Sequence, residues 1–83
     1  MATQILICDD SGLARKQLAR SLPEGLNAEV TFATHGLEAV EAIREQQFDL
    51  LFLDLTMPVM DGFEVLEALN QEQLMLDVVV VSG

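Results

Sequence analysis

The chain predicts an α/β fold built on a parallel sheet, and three observations carry that expectation. Short apolar runs alternate with amphipathic helical patterns in the order β-α-β-α-β-α-β along 83 residues, with no linker or low-complexity stretch between them. Three of the four runs are apolar at successive positions, as strands covered on both faces are. Acidic residues stand where two of the runs stop: Asp9-Asp10 after Ile5-Leu6-Ile7-Cys8, and Asp54 after Leu50-Leu51-Phe52-Leu53. Strands separated by helices in this order pair in parallel through right-handed crossovers.

The first strand is expected over Gln4–Cys8. The first helix follows over Gly12–Leu22, with Ala14, Leu18 and Leu22 four apart as the inward stripe and Arg15, Lys16 and Arg20 outside it. Pro23-Glu24-Gly25 ends that helix. Glu29–Ala33 alternates apolar and polar residues and suits a sheet edge. Gly36–Gln46 then places Leu37, Val40 and Ile43 on one face and the acidic row Glu38, Glu41 and Glu45 on a solvated one. Leu50–Leu53 is the third strand, and Met57-Pro58 blocks its continuation into a helix. Gly62–Gln71 turns Phe63, Leu66 and Leu69 inward and Glu64 and Glu67 outward, and Asp77–Val81 is the fourth strand. Ser11 and Asp61 precede helical runs and have the chemistry of N-caps.

Composition narrows the function classes. The chain is 51% hydrophobic, with a formal net charge of −10 and only four lysines and arginines. Nucleic acid and anionic membranes attract basic surfaces, so neither is an expected partner. Cys8 is the single cysteine, which excludes a disulfide scaffold and fits a reducing cytoplasm. No segment reaches the roughly 18 continuous apolar residues of a membrane span. Cys8 itself reads as a buried strand residue, His35 as a solvated loop residue, and Met57 and Met60 as loop packing.

In a sheet of this kind ligands bind beyond the carboxyl ends of the strands. Asp9, Asp10, Asp54 and Ser82 all fall at such ends. Carboxylates gathered there repel by about 4 kcal/mol per pair at 4 Å and an effective dielectric of ~20. A hard divalent cation is the simplest group that offsets this repulsion.

The residues carrying this pattern also resemble a known family. Asp9-Asp10, Leu53-Asp54-Leu55, Met57-Pro58-Val59-Met60-Asp61-Gly62 and Val78-Val79-Val80-Val81-Ser82-Gly83 together are similar to the receiver domain of bacterial two-component response regulators. The resemblance covers residues 1–83 as one domain and implies a flavodoxin-like, doubly wound parallel sheet with strand order 2-1-3-4-5. It implies Asp54 as the phosphoacceptor, with Mg²⁺ held by Asp10, Asp54 and the backbone carbonyl of Thr56, and by Asp9 through a water. Ser82 would be the switch hydroxyl, and Pro58 and Gly62 would shape the loop that carries the Thr56 carbonyl. A sensor histidine kinase or a phosphotransfer protein would supply the phosphoryl group, so the chain is expected to be an acceptor and not an enzyme.

The family pattern continues past Ser82 with a helix, a fifth strand ending in Lys-Pro and bearing an aromatic residue, and a final helix. The chain stops at Gly83. The expected fold is therefore incomplete, lacking the last helix-strand-helix, with phosphorylation impaired for want of the lysine. Val78–Ser82 would lie at the sheet edge and favour a homodimer or a swapped oligomer. An alternative function is a non-phosphorylated dimerisation or interaction module that keeps the receiver fold. A phosphatase or phosphotransferase with an aspartate nucleophile would carry a second aspartate where Thr56 stands, and is disfavoured.

Overall fold

Parallel strands cannot be joined by tight turns, so each connection carries a helix and each strand is delivered in the same direction. A computed structural model describes residues 2–55 and 61–81. The strands are β1 (Thr3–Cys8), β2 (Ala28–Ala33), β3 (Leu50–Asp54) and β4 (Asp77–Val81). Between them run α1 (Gly12–Ser21), α2 (Gly36–Glu45) and α3 (Gly62–Gln71). The order across the sheet is β2-β1-β3-β4, with every pairing parallel. The chain steps from β1 to β2 on one side and returns to β3 on the other, so the direction of winding reverses between β1 and β3.

The fully buried part of β1 shows why its run is apolar without alternation. Leu6 and Cys8 join a core with Ala39, Val40, Ile43, Leu51, Leu53, Val65 and Leu69, contributed by α2, β3 and α3. Ile5 and Ile7 point the other way and are equally buried, on the face where α1 packs against β1. At about 25 cal/mol per Å² of apolar area, each such side chain contributes about 2 kcal/mol. β2 lies at a sheet edge, where Glu29 and Thr31 are exposed as its alternation predicts, whereas Phe32 is exposed against it.

Several inward faces differ from expectation. In α2 the buried residues are Gly36, Ala39, Val40 and Ile43, whereas Leu37 is exposed. In α3 they are Gly62, Val65 and Leu69; Leu66 is half-buried and Phe63 is 65% exposed. The α1 stripe of Ala14 and Leu18 is only half-buried, and a hollow of about 300 Å³ opens beside it, lined also by Asp9 and Val81. β4 is not covered on both faces: Val79 and Val80 are 43% and 47% exposed. No helix among the described residues is long and apolar enough to cross a membrane.

Candidate functional site

Register brings the acidic residues together. Cys8 of β1 stands opposite Leu53 of β3, so the next residues, Asp9 and Asp54, leave the sheet side by side. Carboxylate oxygens of Asp9, Asp10 and Asp54 all lie within 4.8 Å of one another. Asp9 and Asp54 are each only 7% exposed, while Asp10 is exposed at the mouth. Packing alone does not call for this arrangement, because buried charges are costly unless paired or bound to a cation.

The turn after β1 is built around Asp9. Its N–H donates to the carbonyl of Ala33 at 3.1 Å, and its Oδ1 accepts the N–H of Ser11 at 2.9 Å. Ser11 caps α1, its Oγ accepting the N–H of Ala14 at 3.2 Å. Burial pushes the Asp9 carboxyl above the ordinary aspartate range; the Ser11 N–H opposes this, and the neighbouring charges of Asp54 and Asp10 reinforce it. Beneath the cluster, burial raises the Cys8 thiol to about 12, helped by the charges of Asp9, Glu38 and Asp54.

On the β3 side, Asp54 is the last residue of the strand. Thr56 and Pro58 lie outside the described residues, as does Ser82 after β4. Gly62 is the buried first residue of α3, and its N–H donates to the carbonyl of Leu55 at 3.2 Å. A Cβ at Gly62 would sit 2.6 Å from both the Asp54 carbonyl oxygen and the Leu55 Cα, so only glycine lets the helix start this close to the strand end. Asp61 caps α3 by accepting the N–H of Glu64 at 2.9 Å.

A model of the response regulator receiver domain matches residues 5–83. The chain belongs to the response regulator receiver domain family. It is 44% identical over 81 residues to a protein-glutamate methylesterase/protein-glutamine glutaminase of Myxococcus xanthus, covering 96% of this chain and 23% of that protein. It is 34% identical over 83 residues to the chemotaxis protein CheY of Bacillus subtilis, spanning all of this chain and 69% of that one. Among solved structures, the CheX–CheY–BeF3–Mg complex of Borrelia burgdorferi superposes with a TM-score of 0.85 at 34% identity, over 96% of this chain and 61% of that chain.

The donor set of this receiver domain suits a hard cation. It offers carboxylate oxygens gathered within 4.8 Å, the ligands that Mg²⁺ selects. The nearby thiol is held protonated by its burial and is no competing soft donor.

Two residues were missed from the sequence. His35 is not a solvated loop residue: it caps α2, its Nδ1 accepting the N–H of Glu38 at 3.2 Å. Glu38 reaches back to the N–H of Thr34 at 3.0 Å, so it belongs to that cap and not only to an acidic face. The spacing of a polar residue with Glu three positions later was the available signal. The other is Arg15, whose Nη1 donates to the backbone carbonyl of Asp9 at 2.7 Å. It does not sit at a strand end, yet its side chain reaches one.

Proposed function

We propose that residues 1–83 work as one receiver unit in which Asp54 accepts a phosphoryl group from a phosphohistidine on a sensor histidine kinase or phosphotransfer protein. The observation that carries the reading is the convergence of Asp9, Asp10 and Asp54 within 4.8 Å, two of them buried. Mg²⁺ would be held by Asp10 and Asp54 with the Thr56 carbonyl, and by Asp9 through a water. When bound, it neutralises charge on the attacking and transferred oxygens. An Oδ of Asp54 attacks phosphorus in line with the P–N bond. The O–P bond forms, the P–N bond breaks, and its electron pair stays on the imidazole nitrogen. Asp9, held by the Ser11 N–H, keeps the pocket oriented and acidic, while exposed Asp10 meets an incoming hydrated cation first. Ser82 would donate to the acquired phosphoryl group, and Pro58 and Gly62 would shape the loop between β3 and α3.

The only lysine of the chain, Lys16, is exposed on α1. The cytoplasm is the compartment that fits a protonated buried thiol and a phosphohistidine donor. A second copy of the chain is a further partner: β4 presents its outer edge and the half-exposed Val79 and Val80, with Met75 90% exposed at its approach.

The test is titration with Mg²⁺ and beryllofluoride, the wild type beside Asp54→Asn. The wild type is expected to take up both, and the variant to lose beryllofluoride binding. Equal uptake by the two proteins would remove Asp54 as acceptor. Absence of uptake by the wild type would favour the interaction-module alternative.

A further inference from the structure

Arg15 is a cation placed where a helix disfavours one. It is the fourth residue of α1, and side chains of a helix lean toward its N-terminus, so a long one covers the preceding turn. The positive end of the helix dipole opposes a guanidinium there, and the first turn of α1 contains no acidic residue to offset it. The other cations are engaged or turned elsewhere: Lys16 and Arg20 are exposed on α1, and Arg44 pairs with Glu72.

The side chain passes over Gly12, where even a Cβ would meet Arg15 Nη2 only at an ordinary contact distance of 3.4 Å. At the far end, Nη1 donates to the carbonyl of Asp9 at 2.7 Å. Asp9 follows the last residue of β1, so that carbonyl has no place in the β1 ladder. Asp9 is thereby held at three points: its amide by Ala33, its carboxylate by Ser11 and its carbonyl by Arg15. Asp10 rides on the same turn.

We propose that Arg15 is a positioning residue of the acidic site, clamping the Asp9 carbonyl so that the carboxylates of Asp9 and Asp10 stay turned toward Asp54. The role rests on the reading that these carboxylates hold a divalent cation. A fork that donates from a fixed plane does this better than a single flexible ammonium.

The test measures Mg²⁺ affinity by calorimetry and, separately, hydrogen exchange of the Ser11 amide in EDTA, on the whole 83-residue chain. Arg15→Ala is expected to weaken Mg²⁺ binding about tenfold, the loss of one hydrogen bond to a charged donor. It should also speed exchange at Ser11 without speeding exchange in β3. Arg15→Lys should fall between wild type and Arg15→Ala in both readouts, and it carries the test alone if the alanine variant does not fold. Affinity within twofold of wild type in the variants overturns the clamp, and so does tighter binding, which would make Arg15 a competitor of the cation. A wild type that takes up no Mg²⁺ removes the cation-site reading instead. Unchanged Ser11 exchange in the variants then refutes the clamp independently.

Discussion

Removing the charge of Asp54 should stabilise the metal-free protein. At the 4.8 Å limit that encloses the three carboxylates, two unit charges repel by about 3.5 kcal/mol at an effective dielectric of ~20. Asp10 is exposed, so water screens its share toward about 1 kcal/mol. The dominant pair is Asp9 with Asp54, both nearly buried. Asn keeps the shape of the side chain and one carbonyl oxygen, so Asp54→Asn relieves the repulsion without opening a cavity. A gain of about 1–3 kcal/mol is expected at pH 7, and for a domain of this size each kcal/mol raises Tm by about 4–8 °C.

Magnesium should do to the wild type what the substitution does to the variant. At a hundredfold excess over Kd, binding adds about 2.7 kcal/mol of apparent stability. Thermal unfolding followed by circular dichroism, in EDTA and in Mg²⁺ at matched ionic strength, reads both effects. Matching matters because simple screening over a Debye length of about 8–10 Å also relieves exposed charges. The expected pattern is a higher Tm for Asp54→Asn in EDTA and a large Mg²⁺ shift for the wild type alone. An Asp54→Asn protein that melts at or below the wild type in EDTA would refute the repulsion argument.

Four further outcomes follow from the geometry. Asp9 keeps its proton to higher pH when folded than when unfolded, so metal-free stability should fall as pH rises from the ordinary aspartate value through the raised one; urea unfolding across that window should show the decline, and Asp9→Asn should abolish it. Gly62→Ala drives a Cβ into the backbone of Asp54 and Leu55 and should destabilise by about 1–3 kcal/mol, read by denaturant midpoint at constant slope. Cys8, buried and raised to about 12, should react with a thiol reagent at pH 8 only as fast as the protein opens, so labelling that is rapid in native buffer would contradict its burial. Val80→Lys places a charge on the open strand and should shift light scattering at micromolar protein from dimer toward monomer, with a monomeric wild type removing the edge-pairing proposal.

The parts legible in the sequence are those set by short-range rules. β1 and β3 are covered on both faces, so their runs lack alternation and could be placed within a residue or two. Ser11 and Asp61 announced their helices because a side-chain oxygen in that position satisfies an otherwise unpaired N–H. His35 escaped notice because imidazole is an uncommon cap, although Nδ1 can accept as the hydroxyl of serine does. Val40, Ile43 and Leu69 are inward as expected, but the first turns of α2 and α3 were misjudged for a shared reason. Each helix opens with glycine followed by a large apolar residue: Gly12-Leu13, Gly36-Leu37 and Gly62-Phe63. Periodicity counts Leu37 and Phe63 as inward, yet both are exposed, as Leu13 is, because the first turn stands at the carboxyl rim where the sheet is ending.

The candidate site divides along the same line. That Asp9, Asp10 and Asp54 end strands can be read locally; that β1 and β3 are neighbours, with Cys8 opposite Leu53, is a property of topology. The direction of winding had to reverse between these strands for their carboxylates to meet, and nothing in either run encodes the reversal. Unequal burial is also decided by the assembled fold. Asp9 sinks beside Asp54 because the Ala33 carbonyl and the Ser11 N–H draw its backbone and carboxylate inward, while Asp10, one residue on, stays at the surface. The consequence is an asymmetric site, with the repulsion stored in a buried pair and an exposed carboxylate open to solvent. A cation entering from water relieves most of that repulsion only by reaching the buried pair, so its affinity should fall more steeply in Asp54→Asn, which removes a ligand from that pair, than in Asp10→Asn, as calorimetric titration of the two variants would show.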